Sequence, residues 1–252
     1  MTQPAEPATS PTRPRDLPAW VWLPLPLLVY PLVALAAAVP TLHPLYDWLM
    51  TKEGGVELLG VAALLASLMY SLPTIYRHRH KLPARWLKVW FALVMFAMFF
   101  LAGEELSWGQ HLGFWDHEDV PDAIKAVNDQ NETNLHNIGG NALDVNPTNA
   151  VVLATFVAFI INPIYLKWRG KPLILPAHDP GHWFWPTPAA LPAAIGVLLI
   201  RFPQRIYRWT AGEIPDDVSV YWRHSEVHEC YIALLFATYL AAAAHRLRNT
   251  PP

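Results

Sequence analysis

The chain has 252 residues, of which 53% are hydrophobic and only 15% charged, with twelve Trp, twenty-five Pro and a formal net charge of −2. Soluble domains carry roughly 25% charged residues, so this composition excludes an ordinary soluble enzyme and a disordered binder, and the lack of a basic excess excludes a nucleic-acid partner. The single cysteine, Cys230, excludes an intramolecular disulfide and any paired-cysteine redox or zinc-ribbon site.

Residues 1–18, rich in Thr, Pro, Ala and Ser, read as a disordered cytoplasmic tail, and residues 19–248 as one transmembrane helical domain. A helix crosses the hydrocarbon core with about 20 mainly apolar residues. Six stretches have that character: 19–40, 56–76, 87–102, 150–166, 183–200 and 230–244. The expected fold is therefore all-α, a polytopic membrane helix bundle of about six spans. The first carries Pro24, Pro26 and Pro31, and the fifth Pro186, Pro188 and Pro192. Membrane helices tolerate proline where neighbours re-satisfy the freed carbonyls. Arg13, Arg15 and the later Ala36, Ala37 and Ala38 also resemble a secretory signal, but the long, proline-dense run favours an uncleaved anchor.

Basic residues set the orientation. Arg77, Arg79, Lys81, Arg85 and Lys88 lie between spans two and three, Lys167, Arg169 and Lys171 after span four, and Arg246 and Arg248 after span six. With six spans all of these share one side, which the positive-inside rule makes cytoplasmic, together with both termini. Most carboxylates fall on the opposite face. There the polar stretch 103–149, between spans three and four, is expected to form an ordered extracytoplasmic cap packed through residues such as Trp108, Trp115, Leu135 and Ile138.

Four clusters converge on that acidic face: Glu53 and Glu57 before span two, Glu104, Glu105, Ser107 and His111 closing span three, Glu132, Asn134, His136 and Asn137 in the cap, and His224, Glu226, His228 and Glu229 opening span six. Ionisable groups at membrane depth normally face a bundle interior or a wet cavity. His224 and His228, four apart on a helix, present two imidazoles to one side as a metal pair requires. Glu104, Ser107 and His111 share a face by the same spacing if span three continues that far. Glu226 lies roughly 200° from either histidine at 100° per residue. Three histidines and a water suit catalytic zinc or another divalent metal, with a carboxylate as general base or second partner. The same residues also read as interfacial anchors, or as a carboxylate network paired with Arg205, Arg208 or Arg223.

The succession Glu53-Gly54-x-x-Glu57, Gly103-Glu104-Glu105-x-Ser107-Trp108-Gly109-Gln110 and Asn128-x-x-x-Glu132-x-Asn134-Leu135-His136-Asn137 resembles a family of uncharacterised bacterial polytopic membrane proteins. That resemblance implies a multi-pass protein of the bacterial inner membrane and no particular activity. A second likeness is to alkaline ceramidases and progestin/adipoQ-type receptors, in the order Ser107-x-x-x-His111, Asp122, His224-x-x-x-His228. It implies zinc on His111, His224 and His228, with Ser107 and Asp122 assisting a zinc-bound water. The functional expectation is a metal-dependent hydrolase acting at the extracytoplasmic interface on a lipid or lipid-linked amide or ester. The alternative is a non-catalytic accessory subunit or polar-ligand binder built on the same network.

Overall fold

The structure, a computed structural model, describes residues 15–51, 54–115, 117–120, 142–212 and 224–251. Glu53, Asp122, Glu132, Asn134, His136 and Asn137 lie outside the described residues, as does most of the expected cap. Among the described residues every regular element is helical. The order is α1 (Ala19–Trp22), α2 (Pro24–Ala38), α3 (His43–Leu49), α4 (Gly55–His78), α5 (Arg85–Glu105), α6 (Ala142–Phe156), α7 (Asn162–Trp168), α8 (Gly181–Phe184), α9 (Leu191–Leu199), α10 (Phe202–Ala211) and α11 (His224–Asn249). Among the described residues six segments are long and apolar enough to cross a membrane: Ala19–Ala38, Gly55–Lys81, Arg85–Glu105, Pro147–Trp168, Gly181–Ala211 and Ser225–Asn249.

Helices in lipid gain little from mutual hydrophobicity and associate through small residues and interhelical hydrogen bonds. Span six is the hub, with 78% of its apolar window buried against 11% for span four. It lies parallel to α4, with contacts that advance together along both chains. Gly60 packs on Ala233 and Cys230, Ser67 Oγ donates to the Ala237 carbonyl at 2.8 Å, and Lys81 Nζ donates to the Thr250 carbonyl at 2.6 Å. Helix α5 runs antiparallel to α11, and Trp90 Nε1 donates to the Tyr239 hydroxyl at 2.7 Å. Helix α9 is also antiparallel to α11, with Gly196 lying under the ring of Tyr231.

Proline accounts for the main departures from straight spans. Expected span 183–200 is divided, because Trp185 and Thr187, each preceding a proline, are extended with ψ of 139° and 171°. Span four begins as helix at Ala142, earlier than the expected 150, so the expected cap overlaps it. A π-turn, Val157–Ile161, then precedes Pro163. Proline has no N–H for the carbonyl four residues back, and a local π-turn accommodates that loss. In α2 the Tyr231 hydroxyl donates to the Pro26 carbonyl and accepts from the Tyr30 N–H, bracing the proline-rich helix from outside.

Candidate functional site at the acidic end

Helix α5 stops at Glu105, and the chain reverses within the next four residues. Ser107 and Trp108 hold φ of 44° and 54°, the left-handed region that non-glycine residues seldom occupy, and Gly109 follows at 107°. The reversal folds the Trp108 ring back over Gly103, where a Cβ would stand 2.8 Å from Cζ3. From there the indole Nε1–H donates to Glu104 Oε1 at 2.5 Å, and Glu104 is buried. The Trp108 ring meets Phe100 edge to face. The run Gly103-Glu104-Glu105-x-Ser107-Trp108-Gly109 thus has a local reason for its composition: glycine for ring space, tryptophan for the carboxylate, and a turn that buries Ser107 completely. The expectation that Glu104, Ser107 and His111 share one helical face is corrected, because the helix that would align them ends at Glu105.

Glu105 now looks across to span six. Glu57 from the first turn of α4, Glu105 from the last turn of α5, and Glu226 and Glu229 from the start of α11 line one small cavity of about 10 Å³. Gly60, Val61, Cys230 and Ala233 complete its wall. The spacing explains the convergence. Residues 226, 229, 230 and 233 fall on one face of α11, and 57, 60 and 61 on one face of α4. Gly60 lets the two faces close to contact.

His228 belongs to the other side of α11. Its ring is buried, and Nε2 donates to the Val197 carbonyl of α9 at 3.0 Å. The structure therefore brings four carboxylates together and leaves His228 out of that group. Glu104 does not line the cavity and accepts from Trp108. The side chains of His111 and His224 lie outside the described residues, as does Asp122. Among the described residues no three His, Cys, Asp or Glu side chains close on a point as a metal shell does. Nε2 of His228 carries the proton that it donates to Val197, so the lone pair of that ring lies on Nδ1. Cys230 and Gly60 are site residues beyond those expected from the sequence; Cys230 lies on the α11 face that runs from Glu226 to Ala233, and Gly60 follows Glu57 by three residues on α4.

No protein family, curated protein or solved structure matches the chain.

Proposed function

We propose that this protein is a multi-pass membrane protein that binds a cationic polar ligand at the extracytoplasmic end of its bundle. The observation that carries this reading is the convergence of Glu57, Glu105, Glu226 and Glu229 on one small cavity. Carboxylates are expensive near a bilayer and are kept there for a partner or a pathway. A free volume of about 10 Å³ holds about one water-sized group. It suits an ammonium group, or a cation that keeps its remaining waters at the mouth, rather than a large organic body. The excess of Lys and Arg at the opposite end supports a cytoplasmic position for both termini, and hence this orientation.

A metal-dependent membrane hydrolase acting on a lipid-linked amide or ester is the second reading. The strained turn at Ser107 and Trp108, beside buried Glu104, favours it, since residues held at positive φ cluster at reactive sites.

One experiment separates the two. The purified full chain is analysed for bound metal, then its thermal unfolding is followed with ethanolamine, spermidine, Mg²⁺, Ca²⁺ and Zn²⁺. Stabilisation by an amine or hydrated cation that is lost in Glu105→Gln and Glu229→Gln supports the binder. Stoichiometric zinc that survives both substitutions favours the hydrolase, and no response to any probe overturns the binder.

A further inference from the structure

A second cavity, of about 260 Å³, opens at the basic end between span four, span five and the tail of α11. It shares no residue with the acidic site and stands independently of it. Its walls are apolar: Phe159 and Leu166 from span four, Leu173 and Ile174 from the following loop, and Trp185 from span five. Leu173 and Ile174 are exposed at its rim. Lys167 in the last turn of α7, with Arg169 and Lys171 after it, makes this the cation-rich side of the chain.

Into this apolar volume projects a buried cation. Arg246 is 3% exposed, with Nη1 donating to the His182 carbonyl at 2.6 Å and Nε to the Ala242 carbonyl at 3.4 Å. Its guanidinium carbon lies 5.5 Å from the centroid of the Trp183 ring. Backbone carbonyls orient the group but do not neutralise it, and Asp16 acts on it electrostatically without forming an ion pair among the described residues. Nη2 has no hydrogen-bond partner among the described residues. A buried charge without a counter-charge in contact is strongly unfavourable.

Two further cavity-lining atoms share that condition, His182 Nε2 and Thr187 Oγ1. His182 Nδ1 lies 2.6 Å from the Leu175 carbonyl. A carbonyl only accepts, so Nδ1 carries the proton and Nε2 of the neutral ring offers a lone pair. The cavity thus presents a guanidinium edge for an oxyanion, an imidazole lone pair for a hydroxyl, and a threonine hydroxyl that serves either. Guanidinium is the side chain best matched to a phosphate. Apart from Asn162, the surrounding walls are mainly hydrocarbon.

We propose that this cavity binds an anionic, hydroxyl-bearing phospholipid, with the phosphate on Arg246, a headgroup hydroxyl on His182 Nε2, and an acyl chain along Phe159, Leu166 and Ile174. The shared chemistry is a phosphate ester with a free hydroxyl, and the tail distinguishes a lipid from a soluble phosphate.

The full chain, stripped of lipid in a neutral detergent, is titrated by native mass spectrometry with dioleoyl phosphatidylglycerol, dioleoyl phosphatidylcholine and glycerol phosphate. Phosphatidylglycerol is expected to bind at least about 10-fold more tightly than phosphatidylcholine, the scale of one charge-assisted contact. Arg246→Gln abolishes that preference and leaves phosphatidylcholine binding unchanged. Thr187→Val, which keeps the guanidinium and the side-chain volume, reduces phosphatidylglycerol affinity severalfold, and it carries the test if Arg246→Gln fails to fold. Equal binding of the two lipids, or a preference that persists in the variants, overturns the proposal. Competition by glycerol phosphate at the concentrations where the lipid binds assigns the site to a soluble phosphate and overturns the lipid assignment.

Discussion

Gly196 and Tyr231 occupy the closest interhelical approach at the α9–α11 contact: a Cβ on Gly196 would stand 1.8 Å from Cδ1 of the ring. The ring cannot retreat, because its hydroxyl is held between the Pro26 carbonyl and the Tyr30 N–H of α2. Three spans are locked through one side chain. Gly196→Ala is expected to destabilise the bundle by at least about 1–3 kcal/mol, the usual range for overpacking. Thermal unfolding in detergent measures it, and Tyr231→Ala in the same chain should recover part of the loss.

Trp108→Phe keeps a ring over Gly103 and removes the indole donor from buried Glu104. Loss of a donor to a buried carboxylate costs about 1–3 kcal/mol. The expected result is a lower unfolding midpoint for Trp108→Phe, with near-wild-type behaviour restored by Glu104→Leu in the same chain. A midpoint unchanged by Trp108→Phe would show that the Glu104 hydrogen bond does not hold the turn.

The two faces of α11 make opposite predictions. Glu229→Gln removes one of the four carboxylates that line the acidic cavity and keeps its volume, whereas His228→Asn changes a contact with α9. Stabilisation by amine or hydrated cation should therefore vanish in the first and persist in the second, even where His228→Asn lowers the baseline midpoint. Loss in both, or in His228→Asn alone, would place the ligand on the α9 side instead.

Topology gives a prediction that depends on neither site. Reporter fusions after Asn141 and after Lys171 flank span four, so they should report opposite sides of the membrane. Agreement between them would mean that Pro147–Trp168 does not cross.

The six spans were legible because bilayer thickness imposes a length that composition alone reveals. The clustering of carboxylates at one end was legible for the same reason, since alternating helix direction sorts every loop to a side. Rotation about the helix axis was not. Span six is apolar or small around most of its circumference, so its pattern does not say which face meets which neighbour. The choice between a histidine face and a glutamate face was made elsewhere, by Gly60 on α4 and Gly196 on α9, which admit close approach at particular heights. Likewise the spacing of Glu104, Ser107 and His111 presumed a helix that Trp108 ends by turning back onto Gly103. Arg246 read as a loop cation, and only the fold of span five around it reveals that it is buried.

The burial of span six also has a consequence for how the chain is made. The five preceding spans leave the ribosome before it, and α4 enters the bilayer with Gly60, Ser67 and Ser71 still waiting for their partner. Until residues 224–249 arrive, the partly synthesised protein has grooves but nothing to fill them. Span six therefore inserts late, into a gap between helices already in place, and any interruption of synthesis before it leaves those spans with uncovered small-residue faces.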